Sequence, residues 1–403
     1  MNINSKLPDV GTSIFAKMSL LASEFHAINL AQGFPDFNPP DELLDYLTEG
    51  VQLGMNQYAP MPGYIPLRHE LSKRLKRDYG FQANPDSEIT VTAGATQAIY
   101  TIISAFVGVG DKVLLFEPAY DSYGPAVIVN GGISVYLKLS LPHFEIPWTD
   151  LERTLKEQKI KLMIVNNPHN PAGTTLSKDD LERMDKMTKA YDCLIIWDEV
   201  YDMLVFDGAK HNSALEIASL MEHSVVVYSL GKTLHNTGWK VGYTVAQESI
   251  SKEIRKLHQF TVFSVNTPAQ YAIARFLENH ESFFNTLHTF YEAKRDLFIQ
   301  LLKTSLFDFL NQQDFENFVK KVLLNNKNHT EVEKQKHYWF NAFKTLKLIH
   351  YLRDETYPNI NMFDAIDEML RMMSIENMIK RNSAIPELEI QKEYLLLLRK
   401  IQS

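Results

Sequence analysis

The stretch CLIIWDEVYD, residues 193–202, decides the fold that the sequence predicts. Its apolar run has no polar alternation, a pattern typical of a strand buried on both faces, and an acid, Asp198, stands directly at its end. Four further runs of this kind are separated by helical patterns: EITVTAG (88–94), KVLLFEP (112–118), KLMIVNNP (161–168) and SVVVYSL (224–230). Short buried strands alternating with helices predict an α/β fold, with a mostly parallel sheet and helices on both faces.

Composition narrows the class of protein. A chain of 403 residues can form two domains, or one large domain with an appendage. The net charge of -8 argues against general attraction to nucleic acid or to an anionic membrane. Cys193 is the only cysteine, so no intramolecular disulfide can form, and we expect its thiol in a core strand. Nowhere do eighteen apolar residues run together, and we expect a cytoplasmic protein.

Glycine usage divides the chain. All 17 glycines lie between Gly11 and Gly242. Tight turns between strands usually need glycine at positive φ, so the part after Gly242 is predicted to be nearly all helix. Apolar residues recur every three or four positions in TEVEKQKHYWFNAFKTLKLIHYL (330–352) and in MFDAIDEMLRMMSIENMIKR (362–381), which agrees with that prediction.

Polar residues that follow the apolar runs are candidates for chemistry, because ligands gather at the carboxyl ends of strands in open α/β sheets. Gly94, Ala95 and Thr96 follow the first run and open a helix, where backbone N–H groups can approach a phosphate; plain turn chemistry is the alternative. Asn170, in NNPHNPAG, can donate to a phenolic oxygen, or it can simply cap a proline-terminated loop.

An acid and an amine follow the next two runs. A carboxylate at the end of a buried strand is costly unless a cation or donor meets it, so Asp198 is either a ligand of a cation or the cap of a following helix. Tyr201, three residues later, points to the same end of the sheet as Asp198 if a helical turn begins there. Lys232, between Ser229 and Lys240, is either a solvated loop lysine or an amine that bonds an aldehyde.

The four signals together indicate one cofactor. An anion site, an amide, an acid and an amine occur in this order at strand ends. Pyridoxal phosphate needs one such partner for its phosphate, ring oxygen, ring nitrogen and aldehyde, and an acid that keeps the ring nitrogen protonated makes the ring an electron sink. We therefore predict a pyridoxal phosphate site without a metal.

Seven stretches, in family order, carry a resemblance to a known family. They are LAQGFPDF (30–37), NQYAPMPGYIPLR (56–68), TVTAGATQAIY (90–100), EPAYDSYGPAV (117–127), NNPHNPAG (166–173), WDEVYD (197–202) and SLGKTLHNTGWKVGY (229–243). In these stretches the chain resembles class I aminotransferases of fold type I, and most of all their methionine and kynurenine aminotransferase branch. The resemblance covers about residues 7–305.

The resemblance implies roles for the candidate residues. Lys232 would bond the cofactor aldehyde and, once released, move the proton. Asp198 would pair with the ring nitrogen, and Tyr201 and Asn170 would bond the ring oxygen. Tyr120 would stack on the ring. The phosphate would be held by Gly94, Ala95, Thr96, Ser229 and Lys240, the last in place of the arginine common in many members.

Two further roles involve the substrate and a second chain. Gly33 and Asn170 would bind the substrate, Gly33 through its backbone and the substrate carboxylate. Tyr58 would reach the phosphate in the neighbouring subunit, since the family's active site lies between the two chains of a homodimer.

The resemblance stops after about residue 305. The family should continue with a smaller α/β domain and a late arginine, in a pattern such as RLCFAK, that binds the substrate carboxylate; neither is recognisable. Arg353, Arg371, Arg381 and Arg399 are interpreted as helix-face charges. The predicted organisation is an N-terminal arm (1–40), a cofactor-binding large domain with its following helices (41–305) and a helical segment of unrecognised family (306–403).

These features predict a pyridoxal phosphate-dependent aminotransferase that moves an amino group from methionine, an aromatic amino acid or kynurenine to a 2-oxo acid. Two alternatives stay open. The same cofactor and lysine can support a β-lyase that cleaves the carbon–sulfur bond of cysteine conjugates. The missing carboxylate arginine also fits a catalytically weak, cofactor-binding protein whose C-terminal helices serve a partner.

Overall fold

The structure, a computed structural model, describes residues 4–303 apart from 9, 25–28, 30–32, 34, 36 and 142. The chain divides into two compact units, residues 1–292 and residues 293–403. The prediction of a helical segment over 306–403 lies outside the described residues, as do the four arginines in it. The domain boundaries at residues 40 and 305 stay predictions.

Seven strands are present in the described part of the chain: β1 (Ile89–Thr92), β2 (Lys112–Glu117), β3 (Ile133–Lys138), β4 (Ile160–Asn166), β5 (Leu194–Asp198), β6 (Ser224–Ser229) and β7 (Gly242–Ala246). The α-helices there are α1 (Ile14–Glu24), α2 (Asp41–Gln52), α3 (Ile65–Tyr79), α4 (Ala95–Phe106), α5 (Tyr123–Val129), α6 (Trp148–Gln158), α7 (Lys178–Tyr191), α8 (Leu230–Thr233), α9 (Glu248–Thr261), α10 (Thr267–Asn279) and α11 (Glu281–Lys303).

The strands form one sheet in the order β1-β7-β6-β5-β4-β2-β3. Strands β2 to β6 run parallel to their neighbours among themselves, whereas β7 is antiparallel to both β6 and β1. The prediction of a mostly parallel sheet is therefore confirmed. Crossover connections through helices produce this arrangement, because parallel neighbours cannot be joined by a tight hairpin.

Helices cover both faces of the sheet, as predicted. On one face, α4, α5 and α9 pack on Leu162, Ile196 and Val227. On the other face, α3, α7 and α10 pack on Met163, Trp197 and other side chains that point away from the first face. Because successive side chains of a strand alternate between faces, each central strand contributes to two apolar cores, and this is why its sequence reads as an unbroken apolar run.

Local signals set the ends of the helices. α7 begins with a capping box, in which the Ser177 hydroxyl accepts from the Asp180 amide and the Asp180 carboxylate accepts from the Ser177 amide. α3 ends at Gly80, whose φ of 72° is left-handed and needs glycine. From Glu248 to Lys303 the described chain is helical apart from short connections, which agrees with the prediction from glycine usage.

Two features differ from the sequence predictions. β3 and β7 were not among the five predicted strands. β3 is an edge strand whose two ends are exposed, and so it lacks an unbroken apolar run. Cys193 is fully buried, but it lies one residue before β5 rather than within a core strand, because β5 starts only at Leu194. Its burial raises the pKa of the thiol to about 12.

Candidate active site

Four strand ends meet at one edge of the sheet. In the parallel ladders Asn166 of β4 lies opposite Asp198 of β5, and Asp198 lies opposite Val227 of β6. Because β7 and β1 are antiparallel to each other and β7 is antiparallel to β6, the start of β7 and the end of β1 come to the same edge. There Gly242 pairs with both Ser229 and Thr92. The predicted acid, amine, amide and anion site therefore lie at this one edge of the sheet, which we call the rim.

Asp198 is the buried acid of this rim, with 4% of its surface exposed. The Tyr123 hydroxyl donates to its Oδ2, and the Val200 amide donates to its Oδ1 over 3.4 Å. Burial raises the pKa of Asp198 to about 6, and these two hydrogen bonds and the nearby Lys232 only partly offset that effect. Such an acid is stabilised in its charged form by a cationic partner.

Tyr201 follows in a turn rather than in a helix. The Asp202 amide donates to the Glu199 carbonyl over 3.1 Å, and the Leu204 amide donates to the Tyr201 carbonyl over 2.8 Å. Since no helix begins here, the alternative of Asp198 as a helix cap is wrong. Burial, with the Asp198 and Tyr120 side chains nearby, raises the pKa of Tyr201 to about 12, so its hydroxyl stays protonated.

Lys232 lies in α8, the single turn that follows β6, and is partly buried. Its ammonium is 5.5 Å from the centre of the Tyr201 ring and donates to the Gly33 carbonyl over 3.3 Å. Burial lowers the pKa of Lys232, the positive charge of Lys240 lowers it further, and Asp198 opposes both effects. A lysine with a lowered pKa beside a carboxylate is not the solvated loop lysine of the alternative interpretation.

Asn170 and Asn166 form the amide side of the rim. The Asn166 side chain donates through Nδ2 to the Asp198 carbonyl over 2.8 Å and accepts through Oδ1 from the Asn170 amide over 2.6 Å. Asn166 therefore ties the loop of Asn170 to the end of β5. No described residue forms a hydrogen bond with the Asn170 side chain, which leaves its amide free for a ligand.

The anion side consists of the start of α4 and of Lys240. Gly94 precedes α4 with a φ of 80°, and no described side chain caps that helix end, so its first N–H groups lack an intrahelical partner. A methyl group added to Gly94 would lie 3.3 Å from Lys240 Cε and 3.4 Å from its Nζ. Ala95 and Thr96 are the first two residues of α4, and Ser229 closes β6 beside Gly242.

Other predicted residues lie at different distances from the rim. Tyr120 contacts Tyr123 edge to face, with ring centres 5.6 Å apart, and so lies beside Asp198. Gly33 meets Lys232 through its carbonyl. Tyr58 is not brought into the group within this chain: it is 81% exposed and packs on Phe263.

Sequence reasoning missed two residues that contact Asp198. Tyr123 lies in the quoted stretch EPAYDSYGPAV, three residues after Tyr120, and Asn166 is the first residue of NNPHNPAG. The available signal for Asn166 was its position at the end of an apolar run, like that of Asp198. The hydrogen bond of Tyr123 crosses from α5 to β5, and no local pattern predicts it.

The raised pKa of Asp198 predicts a pH-dependent stability of the cofactor-free protein. A carboxyl group whose pKa rises from 3.8 to about 6 on folding favours the folded state while it is protonated. Its contribution is complete below 3.8 and is lost as the pH rises through about 6. Relative to Asp198→Asn, the unfolding free energy of the unsubstituted protein should fall by roughly 3 kcal/mol between about pH 4 and pH 8. Urea unfolding of both proteins measures this, and a difference independent of pH contradicts it.

Comparisons with known proteins identify the family. The aminotransferase class I and II family matches residues 26–371. Methionine aminotransferase of Escherichia coli K12 is 46% identical over 76% of this chain and 79% of its own, and kynurenine–oxoglutarate transaminase of Dictyostelium discoideum is 35% identical over 72% of each. Among solved structures, N-succinyldiaminopimelate aminotransferase from Mycobacterium tuberculosis has a TM-score of 0.72 at 33% identity, covering 75% of this chain and 79% of its own.

The fold and the rim define a fold type I enzyme, and the chain belongs to the class I and II aminotransferase family. A crystal structure of an Escherichia coli protein with methionine aminotransferase function superimposes with a TM-score of 0.73 at 46% identity, covering 76% of this chain and 80% of that one. The chain is a pyridoxal phosphate-dependent aminotransferase. In the described part of the chain, no helix is long and apolar enough to cross a membrane.

The residues present fit the cofactor. A methyl group at Gly94 would crowd the end of the Lys240 side chain, so glycine at this position lets the Lys240 ammonium lie close to the start of α4. The uncapped start of α4 offers a set of N–H donors, and the free side-chain amide of Asn170 offers a further donor. The buried carboxyl group of Asp198 offers an anion. These are the groups that a phosphate, a ring oxygen and a cationic ring nitrogen require.

Proposed function

We propose that this enzyme transfers the amino group of methionine, an aromatic amino acid or kynurenine to a 2-oxo acid. The observation that carries the proposal is the register of the sheet, in which Asn166, Asp198 and Ser229 end three adjacent parallel strands. The names of the relatives at 46% and 35% identity support the choice of donors. Phe37 packs edge-on against His235, with ring centres 4.8 Å apart, and His235 is close in sequence to Lys232. Aromatic side chains at this position favour an apolar or aromatic donor.

Each residue of the rim has a proposed task. Pyridoxal phosphate, when bound, supplies an aldehyde that takes up the amino group and a ring that withdraws electrons. Lys232 Nζ would bond that aldehyde at rest and would afterwards carry the proton from the substrate α-carbon, for which its lowered pKa suits it. Asp198 would accept from the protonated ring nitrogen and so keep its proton in place. Asn170 and Tyr201 would donate to the ring oxygen, and Tyr120 would pack against the ring.

The anion end has its own set of residues. We assign the phosphate to Gly94, Ala95, Thr96, Ser229 and Lys240. The backbone at Gly33, whose carbonyl accepts from Lys232, is proposed to meet the substrate carboxylate together with Asn170. This arrangement orients the bond that breaks at the α-carbon and keeps it close to Lys232.

A second copy of the chain completes the proposed site. Tyr58 is 81% exposed and Phe260 is 85% exposed, and Tyr58 stacks edge-on with Phe263 at 5.3 Å. Exposed aromatic side chains of this kind indicate a surface that another chain covers. We propose a homodimer in which Tyr58 reaches the partner's phosphate. The proposed compartment is the cytoplasm, supported by the buried free thiol of the single cysteine.

The proposal is tested by mixing cofactor-loaded protein with single amino acids and following the cofactor absorbance. We expect methionine, phenylalanine or kynurenine to convert the cofactor to its aminated form, and a 2-oxo acid to reverse the change. Release of ammonia without any 2-oxo acid would instead show a lyase, and absence of any spectral change with the whole panel would reject the proposal.

Substitution of Gly94 should separate a loss of phosphate binding from a loss caused by backbone strain alone. Gly94→Ala and Gly110→Ala both place a methyl group at positive φ, at 80° and 82°, and backbone strain of this kind costs about 1–3 kcal/mol of stability in each. Only at Gly94 does the methyl group crowd Lys240, since nothing lies within 4 Å of the one at Gly110. Equilibrium titration should therefore show roughly tenfold weaker cofactor binding, about 1.4 kcal/mol, for Gly94→Ala alone. Equal weakening in both variants contradicts the assigned phosphate position.

A further inference from the structure

A largely buried polar network lies behind the rim, on the face of the sheet that α3 covers. We call it the reverse-face network, and its members are Arg74, Tyr79, Asn167, Glu199, Asp202 and His211. It includes the sequence neighbours of three rim residues, because Asn167 follows Asn166, Glu199 follows Asp198 and Asp202 follows Tyr201. Successive side chains of an extended strand point to opposite faces, so the ends of β4 and β5 carry Asn166 and Asp198 on the site and Asn167 and Glu199 in this network. Asp202 joins the network from the turn of Tyr201.

Glu199 anchors the end of β5. Its amide extends the ladder to the Val227 carbonyl over 3.0 Å, and its carboxylate is fully buried. That carboxylate accepts from the Ser213 hydroxyl over 2.6 Å, from the Tyr228 hydroxyl over 2.8 Å and from the Ala214 amide over 2.9 Å. A buried carboxylate with three donors has one permitted position, so it also fixes the backbone that begins at Asp198.

His211 connects β4 to α3. Its Nε2 lies 3.1 Å from the Asn167 carbonyl, and because a carbonyl only accepts, Nε2 carries the hydrogen of that bond. Its Nδ1 lies 3.1 Å from the Tyr79 hydroxyl, and its Nε2 lies 4.0 Å from the Glu199 carboxylate. Asn167 in turn accepts from the Leu176 amide over 3.0 Å, which closes the loop that contains Asn170.

Asp202 connects the Tyr201 turn to the same helix. The Tyr79 hydroxyl donates to Asp202 over 3.2 Å, and the Arg74 guanidinium pairs with the same carboxylate. Arg74 also donates to the Tyr243 hydroxyl over 3.2 Å, so α3 is tied to β7 as well. The side chains of Arg74 and Asp202 are 3% and 2% exposed, and solvent cannot replace either partner.

We propose that His211 and Tyr79 are positioning residues for the cofactor site: through Asn167 and Asp202 they fix the loop of Asn170 and the turn of Tyr201 against α3. This proposal rests on the cofactor roles assigned above to Asn170 and Tyr201. Neither His211 nor Tyr79 faces the rim. Their effect on the cofactor is transmitted by the backbone of the two adjacent chain segments.

The test compares two pairs of variants. Tyr79→Phe removes only the hydroxyl that links His211 to Asp202; its control, Tyr46→Phe, removes a hydroxyl that lies 3.4 Å from the ring of His280, away from the network. His211→Asn removes the imidazole; its control, His258→Asn, alters a fully buried histidine outside the network. Circular dichroism gives the folded fraction of every variant, so that losses of stability are accounted for separately.

Three readouts are expected to move only in the network variants. Pyridoxal phosphate titrated into the cofactor-free variants should bind roughly tenfold more weakly, and the kcat should fall roughly tenfold to a hundredfold with little change in KM, because small misplacements of reacting groups are costly. The pH midpoint of the cofactor absorbance change should also shift relative to the unsubstituted protein. Cofactor affinity and midpoint that match those of the two controls would overturn the positioning role. Failure of the proposed function is distinguishable, since the cofactor-loaded, unsubstituted protein would then show no spectral change with any amino acid of the panel.

Discussion

Replacing Lys232 by alanine will abolish amino-group transfer while leaving the fold and cofactor uptake in place. The amine of Lys232 is the proposed carrier of the proton at the substrate α-carbon. Positioned acid–base groups of this kind contribute about 10²–10⁴-fold to a rate, and loss of the bond to the aldehyde adds to that. We therefore expect the half-reaction with methionine to slow by at least about 10⁴-fold. Single-turnover absorbance changes measure it.

A matched lysine tests whether charge alone explains the loss. Lys252 is 64% exposed and pairs with Glu248 within α9, so Lys252→Ala removes the same charge far from the rim, and we expect unchanged turnover. Added small amines should restore part of the activity of Lys232→Ala, because they supply the missing base without the side chain. A Lys232→Ala protein that transfers amino groups at the normal rate would remove Lys232 from the mechanism.

The central strands of the sheet could be predicted from the sequence because the signal for each strand lies within its own residues. Strands β4, β5 and β6 are buried on both faces, so burial leaves an unbroken apolar run in each. Asp198 stands directly at the end of such a run, and Asn170 lies in the polar loop that follows another, so both are conspicuous against the apolar residues before them. The expectation of a parallel sheet then brings these polar residues together, since the carboxyl ends of parallel neighbours lie at one edge.

Other parts of the fold depend on contacts that a single sequence does not display. β3 has a mixed pattern because it is an edge strand, and β7 is short and follows a turn rich in polar residues. The bond from Tyr123 to Asp198 joins residues 75 positions apart, and that from Arg74 to Asp202 joins residues 128 positions apart. Pairings at such separations follow from the packing of α5 and α3 on the sheet, and periodicity does not specify them.

The motifs and the family match differ in extent. The quoted stretches end at Tyr243 and the resemblance covers about residues 7–305, whereas the family match runs from residue 26 to residue 371. Motifs mark positions where chemistry restricts the residue type, as at Asp198 and Lys232. Helices outside the cofactor site are restricted mainly in apolar spacing, and that pattern is shared by many families.

Replacing Asp198 by asparagine will have the second largest effect. In the folded protein this carboxyl is buried, and its pKa is raised to about 6, so it is poorly stabilised until a cation lies beside it. The protonated ring nitrogen of the cofactor is the proposed cation. Asparagine keeps the size of the side chain but cannot hold a positive charge at that nitrogen, so the ring loses its capacity to withdraw electrons.

The expected loss follows from the energetics of buried ion pairs. Removing one partner of such a pair costs about 3–5 kcal/mol, which corresponds to a loss of roughly 100-fold to 4,000-fold in kcat/KM at about 1.4 kcal/mol per factor of ten. Asp111→Asn is the control, because Asp111 lies in a turn and pairs with the exposed Lys161. Steady-state kinetics on both variants, with cofactor in excess, separates catalysis from cofactor affinity. A kcat/KM for Asp198→Asn within about twofold of the control would show that the ring nitrogen needs no anion at this position, and the assignment of Asp198 would fail.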